Sequence, residues 1–393
     1  MTSKELMAQD SQSVMQTYGR FPLAIDHGEG SALYSPEGKR YIDFTSGIGV
    51  NCLGYGNQPW LKAVTAQAAR FQHLSNLYYS EPYICLSQQL TERTGMKRVF
   101  FANGGGEANE GAIKLCRKYS YDKYGPGRST IITLRDSFHG RTVTTLAATG
   151  QDVFHQYFFP FTEGFQYAQA NRIDSVRDLD DGTVCAVLLE LVQGEGGVLP
   201  LDYDFVQEVQ ALCREKDWLL AVDEVQTGVG RTGSLFCFQQ YNILPDVCSF
   251  AKGIGGGLPL AGIMAGPRTE HVLTPGTHAT TFGGNPVCCA GALSVLEQLD
   301  DTLLTSVREK GAYLRDRISV MPGVTEVRGL GLMLGVGLSD GLKSGELVEN
   351  MLEKGLLCLT AGHNTIRLLP PLVITQAEMD EGLAIMAQVL EDA

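Results

Sequence analysis

Short β-branched runs alternate with helix-length stretches of 3.6-residue periodicity through the middle of this chain, and that alternation leaves few folds open. It builds a mostly parallel sheet whose strands are joined by crossover helices. Strands are expected at Arg98–Phe101, Thr130–Leu134, Val184–Leu189, Trp218–Val222 and Val247–Ala251. Helices are expected over Glu107–Tyr124 and over Tyr203–Lys216, where Phe205, Val206, Val209 and Leu212 share a face. Beyond Asn285 the pattern changes. Two helices (Pro286–Leu299 and Leu303–Val320) precede short strands near Val324–Val327 and Met333–Val336. A helix near Ser344–Glu353, a strand near Thr365–Leu369 and a closing helix from Gln376 follow. The opening stretch carries a hairpin across Ser35–Lys39. The expected class is α/β, with a large domain over residues 51–290 whose mostly parallel sheet is flanked by helices. A smaller α+β unit comes from the chain ends: residues 291–393, with residues 1–50 packing beside them.

Composition narrows the function. Lys and Arg number 31 against 44 Asp and Glu, a formal charge of −13, which argues against a nucleic-acid binder or a polybasic membrane anchor. The 10 cysteines form no Cys-x-x-Cys pair and no Cys/His spacing of a zinc site, so reduced, mostly buried thiols and no metal are expected. Met1 to Gln12 is polar, without the apolar stretch of a signal peptide, and no apolar run approaches the ~20 residues of a spanning helix. A soluble, cytoplasmic protein is expected. Glycine is abundant, 46 of 393 residues against about 7% usually. It clusters at Gly104–Gly106, Gly194–Gly197, Gly253–Gly257 and Gly283–Gly284, where tight turns or close backbone approaches are expected.

In open α/β sheets ligands gather at the carboxyl ends of the strands. Lys252 falls there, followed by glycines. Burial lowers a lysine's pKa and suits it to Schiff-base chemistry with an aldehyde; the plainer reading is a lysine snorkelling to solvent. Asp223 ends the preceding strand, in Asp223-Glu-Val-Gln226. It either caps a turn or faces a buried cation such as a pyridinium nitrogen, with Gln226 near a phenolic oxygen. Phe100–Asn109 reads as strand, glycine turn and helix start, a place for a phosphate or a purely structural turn. It matches neither the nucleotide-triphosphate loop nor the dinucleotide fingerprint, so a nucleotide-dependent dehydrogenase is disfavoured. In Asp136–Thr142, Phe138 offers a flat face, Arg141 a fork for a carboxylate, and His139 a stacking or capping ring. Glu195 and Arg367 carry opposite charges that form a working or merely structural pair.

Five ordered segments carry a resemblance over nearly the whole chain: Gly-Glu-Ala-Asn-Glu, Phe-His-Gly-Arg-Thr, Gln-Gly-Glu-Gly-Gly, Asp-Glu-Val-Gln-Thr-Gly and Ala-Lys-Gly. Together they resemble the class III (subgroup II) aminotransferases among the fold-type I pyridoxal-phosphate enzymes. The resemblance implies a pyridoxal 5′-phosphate cofactor held by Lys252, which also shuttles the proton. It places Asp223 at the pyridine nitrogen, and Glu224, Val225 and Gln226 around the ring with Gln226 at the phenolic oxygen. Gly105 and Gly106 bind the phosphate and Phe138 stacks on the ring. Thr281 reaches the phosphate from a second subunit, implying a homodimer with shared active sites. Thr280, Arg141 and Tyr18 meet substrate, Arg141 through its α-carboxylate. Glu195 and Arg367 form a switch pair that masks the arginine for one substrate and frees it for glutamate's carboxylate.

Two departures stand out. Relatives usually read Asn-Ser-Gly-Ala/Thr-Glu where this chain has Asn103-Gly-Gly-Gly-Glu107, and Leu191 replaces a usual proline. The first removes two side chains from the phosphate turn and loosens it entropically. Within the family the chain is most similar to members that take N-acetylornithine as donor and 2-oxoglutarate as acceptor. Members acting on ornithine, succinylornithine or 4-aminobutyrate share every motif, and a glutamate-semialdehyde mutase type keeps the same cofactor. A cofactor-binding protein without catalysis is the remaining reading from another class.

Overall fold

The computed structural model describes all residues 1–393. Seven strands form the central sheet: β1 (Arg98–Ala102), β2 (Thr130–Leu134), β3 (Phe165–Ala168), β4 (Val184–Leu189), β5 (Leu219–Asp223), β6 (Val247–Phe250) and β7 (Ala261–Ala265). Their spatial order is β1-β7-β6-β5-β4-β2-β3. The pairs β6/β5, β5/β4, β4/β2 and β2/β3 are parallel, and β7 alone runs antiparallel to both neighbours. The sequence pattern anticipates five of these strands. It misses β3, half-buried at the sheet edge, and β7, whose Ala-Gly-Ile-Met-Ala run has a single β-branched residue.

Every residue of β4 and β5 is buried, as expected for parallel strands covered on both faces. Helix α1 (Gly105–Tyr124) covers one face, burying Ala108, Ala112, Leu115 and Cys116. Helix α2 (Tyr203–Glu215) buries Phe205, Val206, Val209 and Leu212 against the other, each contributing about 1.5–3 kcal/mol if fully withdrawn from water. Helix α1 begins two residues earlier than its sequence suggests. Glycine is a poor helix former, but in the first turn the free N–H groups ask for no intrahelical partner.

The chain ends meet in two smaller sheets. The expected hairpin pairs Ala32–Tyr34 with Arg40–Asp43, and Leu356–Leu357 adds in parallel to the latter. Val324–Leu330, Met333–Leu338, Thr365–Leu368 and Leu359–Ala361 form an antiparallel sheet in that order. Side-chain caps set two flanking helices: Asp300 accepts the Leu303 N–H before Asp301–Ile318, and Thr375 with Glu378 forms a capping box before Gln376–Glu391. Buried Arg231 ties the ends to the centre, donating to the carbonyls of Leu332 (2.9 Å) and Pro370 (2.5 Å) and to Ser46 Oγ (3.2 Å). All ten cysteines are free thiols. No helix is long and apolar enough to cross a membrane.

Candidate active site

A cavity of about 480 Å³ opens at the carboxyl edge of the central sheet. Strand ends and the loops after them supply its walls, including Asp223, Val225, Gln226, Glu190, Glu195 and Lys252. The start of α1 and the 138–141 loop close it.

Lys252 follows β6 in a tight 3₁₀ turn and is itself at φ +46, a left-handed conformation that costs a non-glycine residue of order 1–3 kcal/mol. Burial strips water from its ammonium and pulls the pKa down to about 8. Glu195, Asp223 and Glu190 pull it back up, while Arg367 lowers it further. A group poised there is neutral often enough near pH 7 to act as nucleophile and base.

Asp223 is almost fully buried and held by three donors. Its Oδ2 accepts from Asn109 Nδ2 (2.7 Å) and from His139 Nδ1 (2.8 Å), and its Oδ1 accepts the Val225 N–H (3.0 Å). Because a carboxylate only accepts, His139 carries its proton on Nδ1. Asn109 is fixed in turn by Ser249, whose hydroxyl donates to Asn109 Oδ1 at 2.6 Å. No lysine or arginine is bonded to Asp223, and a buried carboxylate so held favours a cation in the cavity. His139 Nε2 is buried without any hydrogen-bond partner, and buried orphans of this kind call for a ligand or water.

Glu190 staples two walls together. Its carboxylate accepts the N–H groups of Phe138 (2.8 Å) and Gly194 (3.3 Å), setting the aromatic plate and the loop that carries Glu195. Burial pushes its pKa up to about 7. His139 and the two N–H groups oppose that rise, and the charge of Asp223 adds to it. On the opposite wall Arg367, from the Thr365–Leu368 strand of the small sheet, donates to Glu195 Oε1 (2.6 Å) and to Gln226 Oε1 (3.4 Å). Burial alone would raise the Glu195 pKa, but the charge and hydrogen bond of Arg367, with help from Lys252 and Gln226, hold it below the ordinary value. Arg367 keeps its buried Nε unpartnered. Arg141 is exposed, forms no ion pair, and lies over the rings of Phe154 (4.3 Å) and Phe138 (5.6 Å).

The pocket therefore gathers Lys252, Asp223, Gly105, Gly106, Phe138, Val225, Gln226, Arg141 and Glu195, with Arg367 directly behind Glu195. It does not gather four other residues singled out in the sequence. Glu224 faces away: strand residues alternate sides, so the residue after Asp223 enters the opposite layer, where it accepts from Thr227 Oγ1 (2.5 Å) and the Phe238 N–H (2.7 Å). Tyr18 is exposed and lines a separate apolar cavity with Phe21, Leu352 and Leu359. Thr281 is exposed and lines a groove with Tyr78 and Tyr83. Thr280 accepts a long bond from Asn103 Nδ2 (3.4 Å) beside the helix start without lining the cavity. Conversely, Asn109, His139 and Glu190 prove central, although sequence reasoning gave the first and last no role. For Glu190 the signal is a charged residue between Leu189 and Leu191 at the end of a buried strand; for Asn109, between Ala108 and Glu110 on a helix, there is none.

The residues fit pyridoxal 5′-phosphate. A buried carboxylate, an aromatic face and a lysine of lowered pKa stand around one cavity. Helix α1 adds the N–H groups of Gly105, Gly106 and Glu107, none of which is bonded within the chain; the first intrahelical bond runs from Ala108 N–H to Gly104 O (3.0 Å). Gly105 has to be glycine, since a Cβ would lie 2.8 Å from Val225 Cγ1.

Fold and pocket together define an α/β enzyme that fastens an anionic aromatic cofactor at the carboxyl edge of its sheet. The sequence profile of the family described as aminotransferase class-III matches residues 13–390, and the chain belongs to that family. It is 48% identical over 393 residues to an acetylornithine aminotransferase of Haemophilus ducreyi, covering 100% of both chains. Among solved structures it resembles an ornithine aminotransferase of Toxoplasma gondii with PLP at partial occupancy in its active site (TM-score 0.95, 30% identity, 100% of this chain and 94% of that one). It also resembles an N-acetylornithine aminotransferase of Stenotrophomonas maltophilia (TM-score 0.85, 33% identity, 98% of each chain).

Proposed function

We propose that the protein moves the terminal amino group of N2-acetylornithine to 2-oxoglutarate, giving N-acetylglutamate 5-semialdehyde and glutamate, with pyridoxal 5′-phosphate as cofactor. The observation that carries the reaction class is Lys252, lowered to about 8, in one cavity with the buried carboxylate of Asp223. Full-length identity to acetylornithine aminotransferases supports the choice of donor. When bound, pyridoxal 5′-phosphate supplies the electron sink for the carbanion left on deprotonation of the amino-bearing carbon.

The chain supplies the rest. Lys252 Nζ holds the cofactor and, once freed, takes and returns the proton. Asp223, kept in register by Asn109 and His139, stabilises a protonated ring nitrogen. Gln226 reaches the phenolic oxygen, Phe138 covers a ring face, and the Gly105 and Gly106 N–H groups receive the phosphate. Arg141 binds the donor's α-carboxylate. Arg367 stays paired with Glu195 while the donor is bound and is released to the second carboxylate of 2-oxoglutarate. In this reading the enzyme is a cytoplasmic homodimer, with Thr280 and Thr281 of a second copy completing each site.

A second reading, ornithine as donor, is favoured by the TM-score of 0.95 to an ornithine aminotransferase. Absorbance spectra of the loaded protein, titrated separately with N-acetylornithine, ornithine and 4-aminobutyrate, decide between them. Bleaching of the yellow band at low N-acetylornithine, reversed by 2-oxoglutarate, is the expected result. A response to ornithine alone would move the donor, and no response to any amine would overturn the reaction class.

A further inference from the structure

The three glycines at the start of α1 differ in what holds them. Gly105 is fixed by Val225, as above. Gly106 is nearly free, since a Cβ would stand 3.3 Å from Thr142 Cγ2, a methyl that yields with a few tenths of an ångström. Gly104 is unconstrained. Its backbone, φ −146 and ψ 165, is extended and open to any residue, and a Cβ there would meet nothing within 4 Å. It occupies the N-cap of a 20-residue helix, where serine, threonine, asparagine or aspartate usually caps, and no side chain caps this one. The charged side chain of the first turn is also the wrong one for an anion: Glu107 folds back to accept the Asn103 N–H (2.9 Å) and Nδ2 (2.7 Å). A phosphate seated here receives backbone N–H groups and the helix dipole, and no hydroxyl or cation from this segment.

We propose, resting on the cofactor assignment above, that Gly104 makes the cofactor exchangeable. The aldehyde form is retained by its bond to Lys252. The amine form, left after the donor has given up its amino group, has no aldehyde for Lys252 to hold and keeps only its non-covalent contacts, of which this pared-down cradle is the phosphate's share. It therefore leaves the site unless 2-oxoglutarate is present to restore the aldehyde, and loading of the enzyme follows the supply of amino acceptor. Neither backbone geometry nor packing requires glycine at 104, so the omitted side chain is a functional setting.

The test is equilibrium dialysis of cofactor-free, full-length protein against pyridoxamine 5′-phosphate and, separately, inorganic phosphate. A serine hydroxyl donating to a charged oxygen makes Gly104→Ser bind both about tenfold tighter than the unaltered protein. Gly104→Ala, which adds the Cβ without a hydroxyl, binds neither more tightly. Loaded, unaltered protein given N-acetylornithine and desalted loses its cofactor, and keeps it when 2-oxoglutarate is in the wash. Equal affinities for serine variant and unaltered protein, equal gains for serine and alanine, or full retention after desalting would each overturn the proposal. Failure of the cofactor assignment looks different: the unaltered protein would then never form a yellow complex with pyridoxal 5′-phosphate.

Discussion

The lowered pKa of Lys252 makes a quantitative claim about how the cofactor is captured. Lys252 falls from 10.5 to about 8, chiefly through burial, a drop that corresponds to about 3 kcal/mol of lost preference for the ammonium. At pH 7 about one molecule in ten then carries a neutral amine, against about one in three thousand for an ordinary lysine. Capture of pyridoxal 5′-phosphate by cofactor-free protein should therefore speed up about tenfold per pH unit below 8 and level off above it. The neighbours give the claim a sign. Glu195 raises the lysine's pKa and Arg367 lowers it, although the two are bonded to each other. Removing either also unmasks the other, so the effects reinforce: Glu195→Gln moves the midpoint down and Arg367→Gln moves it up, each by about one unit. Stopped-flow absorbance of the yellow band between pH 6 and 10 reads the midpoint directly. A midpoint near that of a free lysine, or shifts of the same sign in both variants, would refute the electrostatic account of this pocket.

Three further outcomes are expected. Burial pushes Glu224 up to about 7 from 4.5, so the folded state binds its proton more tightly; stability is fully present below pH 4.5 and falls as pH rises through 7. Glu224→Gln should thus unfold in denaturant at about 3 kcal/mol higher stability at pH 8 and match the parent near pH 4.5, and a pH-independent difference would contradict this. Gly105→Ala forces a Cβ against Val225 and should cost about 1–3 kcal/mol in thermal unfolding together with weaker pyridoxamine 5′-phosphate binding. Adding Val225→Ala should restore both, and no rescue would show that the contact is not the cause. Arg141→Ala should raise KM for N-acetylornithine about tenfold or more, and an unchanged value would remove Arg141 from the donor side.

Much of this architecture is readable from local patterns. Five strands of the central sheet, the opening hairpin and the placing of Asp223 and Lys252 at strand ends all follow from periodicity and turn chemistry. What escapes is whatever depends on partners far apart in the chain. The antiparallel β7 inserts between β1 and β6, a pairing its own five residues do not specify. Asn109 and His139 lie 114 and 84 residues from the carboxylate they orient, and nothing in one sequence announces such a meeting. The motif groups Glu224 with the site, whereas two-residue alternation beyond Asp223 sends it to the other face, against Thr227 and Phe238. Tyr18, Thr280 and Thr281 lie off the cavity in a single chain, a position no spacing rule could have revealed.

The pocket also shows why residue type alone does not assign a role. Asp223 and Glu195 are both carboxylates in loops or ends beyond buried strands, both within the influence of Lys252. Asp223 is held by Asn109, His139 and a backbone N–H, which fix its orientation toward whatever enters. Glu195 is bonded to a guanidinium, so its charge is already spent until that pair opens. One carboxylate faces the cavity without an arginine or lysine partner, and the other is paired with an arginine. The proposed reaction, in which two substrates take turns at one cofactor, has a use for each, and the chain separates them by giving one the donors of Asn109, His139 and a backbone N–H and the other an arginine from the opposite end of the sequence.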